Sequence, residues 1–274
     1  MRGWWREISG LVLPVACEGC GTPRAGLCTR CAGVLAGDGG SGGGGGVGAP
    51  PRVRPAPEPV GLPVVHAALP YEGVVRNLLI AHKERGALGL ARGLGEALAR
   101  AVEAAVGDCG SGPLLLVPVP SSRRSVRERG HDPTRRVALA AAARLRRSGR
   151  SARVVPVLRQ RRAVADQAGL GARGRWVNLA GALEVVPGGG RPLANGRVVL
   201  VDDLMTTGAT LAEAARALGV VHPPFTAGAA ERSPHDFAQH EFEQRVAAVI
   251  ASSPASFEIN RNSPRTWIVA GGER

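Results

Sequence analysis

Two aspartates stand side by side at Asp202 and Asp203, directly after the apolar run Val198-Val199-Leu200-Val201, and Thr206-Thr207-Gly208-Ala209-Thr210 follows two residues later. Adjacent carboxylates suit a partner with hydroxyl donors, such as a ribose diol, or a magnesium ion. The small, hydroxyl-rich stretch suits an anion instead. Gly208 lets the backbone approach a ligand closely, and Thr206, Thr207 and Thr210 add hydroxyl donors. Leu211, Ala214, Ala215 and Leu218 then recur at helical spacing, and Thr210 with Glu213 makes a capping-box pattern that predicts a helix start at that point. A helix N-terminus presents unpaired amides and partial positive charge, which together favour phosphate. A sugar phosphate satisfies both halves of the motif. A Walker loop does not fit, because it needs Gly-Lys-Ser/Thr and Lys83, far upstream, is the only lysine in the chain. The bland alternative is a buried strand that ends in a solvated acidic pair.

A second constellation lies near the N-terminus. Cys17 and Cys20 form one C-x2-C knuckle, Cys28 and Cys31 another, and seven residues separate them. Four thiols so arranged match a structural zinc site, with disulfides as the competing reading. Nothing in the chain reads as secretory. Its first 31 residues hold no long uninterrupted apolar core, and no segment approaches a membrane span. A cytoplasmic location is therefore expected, where disulfides are rare. Cys109 stands alone in a Gly/Ser-rich stretch and reads as a spare thiol.

The elements that must position these groups follow from patterning. The 274 residues can hold one substantial α/β core plus a small appendage. Residues 1–36 carry the four-cysteine module, and the Gly/Pro-rich residues 37–61 read as a flexible tether. Helices are expected from Val74 to about Glu84, then across the stripe Leu90, Leu94, Leu98, Val102 and Val106. Leu114 to Pro120 reads as a central strand, with Pro118 tolerable only near its end. The loop that follows carries Arg123, Arg124, Arg127 and Arg129, which suits an anion, and Asp132-Pro133 starts the next helix. Val154 to Leu158 is the next expected strand. Residues 159–178, with Gln167 and Arg173, read as a mobile lid or as an ordinary long excursion. Ala182 to Val186 resumes strand. Residues 219–243 read as an insertion, Val246 to Ala251 as the last strand, and 263–274 as a disordered tail.

Composition limits the partners. The formal net charge is +13, nearly all of it from arginine, and aromatic residues make up only 3% of the chain. A positive field attracts anionic small molecules and nucleic acid alike, but a base-stacking platform is poorly supplied. Arg, Ala and Gly abundance could also reflect coding composition.

The acidic-pair motif resembles the signature of the type I phosphoribosyltransferases, whose shared ligand is phosphoribosyl pyrophosphate (PRPP). More closely, the chain resembles the ComF family of competence-protein-F or amidophosphoribosyltransferase-like proteins. That likeness rests on the paired knuckles, Tyr71-Glu72-Gly73 with Lys83 and Gly86, Pro118-Val119-Pro120, Arg127-Glu128-Arg129-Gly130, Gln167-Ala168-Gly169-Leu170, Asn178 and the acidic pair. It covers roughly residues 15 to 218 outside the glycine tether. His131-Asp132 departs from the family's Phe-Asn, and the stretch after the last long helix departs from its direct run into a final strand.

The resemblance implies a type I phosphoribosyltransferase fold over residues 62–262, a central mainly parallel sheet flanked by helices, with a zinc-ribbon-like module ahead of it. It implies that Asp202 and Asp203 hold the ribose hydroxyls and magnesium, and that Thr206, Thr207, Gly208, Ala209 and Thr210 wrap the 5′-phosphate. It also makes Arg123, Arg124, Arg127 and Arg129 pyrophosphate candidates, and gives Gln167 and Arg173 to a lid. The implied activity is phosphoribosyl transfer to an unidentified small-molecule acceptor, with magnesium accompanying PRPP and zinc structural. Two alternatives stay open: a PRPP-binding regulator without turnover, and a competence or DNA-uptake accessory that contacts DNA or a DNA-processing protein.

Overall fold

A computed structural model of the chain describes residues 16–38, 48–107, 112–162, 179–219 and 246–261. Its centre is a six-stranded sheet built from β1 (Arg52–Val53), β2 (Val64–Pro70), β3 (Leu114–Pro118), β4 (Ala152–Val154), β7 (Arg197–Met205) and β8 (Val246–Ser252). The strand order is β1-β2-β8-β7-β3-β4, with β1 antiparallel to β2 and every other neighbour parallel. A second, two-stranded antiparallel sheet pairs β5 (Leu158–Gln160) with β6 (Leu183–Val185). The helices are α1 (Thr29–Ala36), α2 (Gly73–Glu84), α3 (Ala91–Val106), α4 (Arg123–Arg129), α5 (Pro133–Arg147), α6 (Ala209–Gly219) and α7 (Pro254–Arg261). The class is mixed α/β, with a mostly parallel sheet flanked by helices.

Parallel strands covered on both faces need apolar residues at every position, not at alternate ones. β8 meets that requirement with all seven residues buried, and β3 with all five. Alternation then assigns the faces. Leu114, Leu116, Val199, Val201, Ala248 and Ile250 join α2, α3 and α5 in one core, whereas Leu115, Val117, Leu200, Ala247 and Val249 join α6 in the other. The expected last strand is present, and it lies inside the sheet between β2 and β7.

Because β3, β7 and β8 run parallel and in register, their C-terminal ends share one edge. Pro118 pairs with Val201, Asp202 with Val249 and Met205 with Ser252. After β3 the chain crosses the α5 face; after β7 it crosses the α6 face. The sheet therefore has a topological switch point between β3 and β7, where the connections diverge and leave a crevice.

Several expectations need correction. The strand expected over Val154–Leu158 is split: β4 ends at Val154, β5 begins at Leu158, and Pro156, which has no amide hydrogen, lies at the break. The arginine loop after β3 is in fact a short helix, α4, capped by Ser122, whose hydroxyl accepts from Ser125 N at 3.0 Å. Within the expected tether, β1 joins the sheet and Val53 is fully buried. The four-cysteine module does not stand apart either. Cys17, Cys31 and Leu35 share a hydrophobic core with Leu78 and Leu94. Cys109, residues 220–243 of the expected insertion and the 263–274 tail lie outside the described residues.

α3 and α5 touch closely enough that a Cβ on Gly95 would lie 2.5 Å from the Ala140 Cβ. Gly95→Ala should therefore wedge the two helices apart. The overpacking outweighs the gain in helix propensity, and urea titration should read a net loss of about 1–2 kcal/mol.

Candidate functional site

Asp202 and Asp203 are the sixth and seventh residues of β7, on the edge where the C-termini of the parallel strands meet. Asp203 is buried at 6% exposure; Asp202 is partly buried. The Asp203 amide donates to Asp202 Oδ1 at 2.8 Å, which turns the first carboxylate back over the second residue's backbone. Lys83, in the last turn of α2, donates to Asp203 Oδ2 at 2.9 Å and to Oδ1 at 3.3 Å. Burial pushes the Asp202 carboxyl well above the usual carboxylate range, and the Asp203 charge beside it pushes the same way. Burial also works against charge on Asp203, but the Lys83 ammonium overrides it and holds that carboxyl below its ordinary value. The two neighbouring carboxyls are thus pushed in opposite directions, and the lysine sits on the second.

The threonine-lined stretch sits immediately beyond. Gly208 has φ +74°, the left-handed region that glycine enters without strain, and a Cβ there would lie 2.9 Å from Leu62 Cδ1. Thr206 is exposed, Thr207 and Thr210 are partly exposed, and Ala209 is buried as the first residue of α6. Ala212 N donates to Gly208 O at 2.9 Å. The amides from Thr206 to Leu211 accordingly have no partner among the described residues. The geometry brings two carboxylates, a turn with unengaged amides and a helix N-terminus together at the sheet's switch point.

The expected capping box does not form as such. Glu213 is buried, and its Oε1 accepts from Leu183 N at 3.0 Å rather than closing on the α6 N-terminus. Arg216 grips the same carboxylate through Nε at 2.7 Å and also donates to Leu183 O at 3.0 Å. Glu213 and Arg216 thereby pin the start of β6, and with it the base of the β5–β6 hairpin, to the helix that begins at the threonine turn. The lid expected in this hairpin, with Gln167 and Arg173, lies outside the described residues.

Of the four arginines, Arg123 and Arg124 begin α4, and Arg127 is exposed on it. Arg129 is engaged, donating to Glu84 at 2.8 Å. It docks α4 against the end of α2, one residue from Lys83. Lys83 was not among the residues selected for the site, although a signal existed. Every other basic residue among the 35 is an arginine, so a lone lysine stands out.

The cysteine module packs on the opposite flank of α2. The Sγ atoms of Cys17, Cys20, Cys28 and Cys31 all lie within 4.8 Å of one another, and Cys20 and Cys28 are 3.6 Å apart. Bonds of about 2.3 Å to a tetrahedral zinc place sulfurs about 3.8 Å apart, so the donor set fits such an ion; a disulfide would need about 2 Å. Contacts with Thr22 hold Cys20 down to about 5, whereas burial and the neighbouring thiols push Cys31 up. Four thiolates cannot share this space without a cation. These cysteines could hold a metal such as zinc. No helix among the described residues is long and apolar enough to cross a membrane. Comparison with protein-family models and with curated proteins finds no match.

Purified protein should carry about one zinc per chain. Cys17→Ser with Cys31→Ser should lose that metal and unfold at a markedly lower Tm, by elemental analysis and calorimetry. A second expectation concerns Glu213. Burial pushes its carboxyl up, but Arg216 and the amides of Leu183 and Gly181 bring it below the ordinary 4.5. A depressed carboxylate stabilises the fold above its unfolded value, and that contribution is lost as pH falls through the folded one. Between about pH 6 and about pH 3, wild-type stability should fall more steeply than that of Glu213→Gln.

Proposed function

We propose that this chain binds PRPP and transfers its phosphoribosyl group to a small-molecule acceptor with release of pyrophosphate, in the manner of type I phosphoribosyltransferases. The observation that carries this reading is the acidic pair set two residues before a turn of unengaged amides, at the switch point of a mostly parallel sheet. Such a crevice is the general ligand position of open α/β sheets. A 5′-phosphate would take the amides and hydroxyls of Thr206 to Thr210 and the positive end of α6. Asp202 and Asp203 would receive the ribose hydroxyls.

Transfer breaks the bond between the anomeric carbon and the pyrophosphate oxygen, and the acceptor's lone pair forms the new bond. Anchoring the phosphate and the diol fixes the reacting carbon without touching it, so the energy of non-reacting groups orients the reacting one. Charge leaves with the pyrophosphate, and α4 brings Arg123, Arg124 and Arg127 to the same sheet edge. Magnesium accompanying the diphosphate would supply further neutralisation of that leaving group. A cover against water rooted in the hairpin that Glu213 and Arg216 hold would matter, because a glycosyl cation in open solvent is hydrolysed.

Asp202→Asn with Asp203→Asn should abolish calorimetric PRPP binding while the circular dichroism spectrum is retained. Wild-type-like affinity in that double variant would overturn the proposal. Screening nucleobases and amines for pyrophosphate release then separates turnover from binding alone.

A further inference from the structure

The proposed ligand contacts leave one occupant of the site unexplained. Both carboxylate oxygens of Asp203 are already taken by the ammonium of Lys83, at 2.9 and 3.3 Å. Among the described side chains no other cation lies within hydrogen-bond reach of either aspartate. With its side chain only 8% exposed, Asp203 leaves a ribose diol little room beside that ammonium. The two partners are unequal: the Lys83 side chain is 39% exposed, whereas that of Asp203 is 8% exposed. Lys83 can therefore leave for water at little cost. Asp203 cannot be left bare, because an unpaired buried carboxylate is expensive. The carboxylate must exchange one set of donors for another.

The backbone beneath Lys83 is held on two sides. On one, Asn77 Nδ2 donates to Gly19 O at 3.0 Å, Arg85 pairs with Glu18 at 2.8 Å, and Gly19 packs on Val74 and Leu78. On the other, Glu84 is bound by Arg129. With α2 held on both sides, the freedom at this contact lies in the lysine stem. Residue type fits that task. A guanidinium would hold Asp203 in a planar two-point fork, whereas an ammonium is a single charge on a flexible four-carbon stem. In a chain whose other basic residues are all arginine, the one lysine stands where a cation has to let go.

We propose that Lys83 is a displaceable counter-ion: it holds Asp203 in place in the ligand-free protein and swings off the carboxylate when a sugar diol arrives, leaving its ammonium available to the anionic end of the same ligand. The inference rests on the PRPP reading and adds a positioning residue to it.

The single lysine supplies its own probe. Full-length protein labelled with lysine bearing 13C at Cε and 15N at Nζ gives one side-chain signal, that of Lys83. In the ligand-free protein the signal should differ from that of free lysine, and Asp203→Asn should move it to the solvent position. Identical signals in the two proteins would overturn the pair and the proposal with it. Ribose 5-phosphate, which carries the diol and no leaving group, should be enough to move the wild-type signal off the Asp203-bound position, whereas inorganic pyrophosphate should not. A shift with pyrophosphate alone would overturn the exchange by the diol. Parallel calorimetry separates the two levels. If PRPP with magnesium binds and the signal stays where it was, the counter-ion exchange is wrong and the PRPP reading stands. If PRPP does not bind, both fall.

Discussion

Two carboxylates in succession at the end of a strand buried on both faces cannot both remain charged without help. Their mutual repulsion and the loss of water push in one direction, toward protonation. Lys83 settles the conflict unequally. It holds the Asp203 carboxyl below its ordinary value, while burial and the Asp203 charge push the Asp202 carboxyl up. On the proposed reading, the same contact that holds Asp203 in a buried place is replaced when a sugar diol arrives.

The contact depends on α2, and several neighbours determine where that helix ends. The cysteine module packs on one flank, through Gly19 against Val74 and Leu78. Arg129 holds Glu84 on another, and the buried His82 ring stands 3.4 Å from both Ala87 O and Pro133 O, so it reaches the start of α5. A metal at the four cysteines would stiffen a segment too small to hold itself, and through α2 it would also set the position of Lys83. The structural role assigned to the cysteines and the chemistry assigned to the aspartates therefore meet in one helix.

The legible parts of the chain were those fixed by local chemistry. Continuous apolar runs identified β3, β7 and β8, a capping aspartate before proline marked α5, and paired C-x2-C knuckles marked the metal-competent cluster. What escaped was decided over long sequence distances. Glu213 sits at capping-box spacing from Thr210, but a glutamate can satisfy only the partners that tertiary packing brings to it, and Leu183 and Arg216 occupy it first. The arginine run reads as loop because its charges mask a helix propensity that Ser122 then caps. Pro156 divides an apolar run that periodicity alone cannot divide. Asp203 and Lys83 are 120 residues apart, so no local pattern links them.

Composition hid the lysine while also marking it. A chain that carries 35 basic residues invites a reading of diffuse positive field, in which no single cation matters. The structure distributes those charges unevenly. Arg216 grips the buried Glu213 and Arg129 the exposed Glu84, both as structural clamps, Arg127 stays in solvent on α4, and the lysine ammonium faces the acidic pair. Arginine suits the clamps because its planar fork grips carboxylate and carbonyl together, as Arg216 does with Glu213 and Leu183 O. The acidic pair needs a cation whose hold is strong enough to keep a buried carboxylate charged and loose enough to be exchanged. Chemical difference among like charges, more than their sum, separates the frame of this molecule from its working edge.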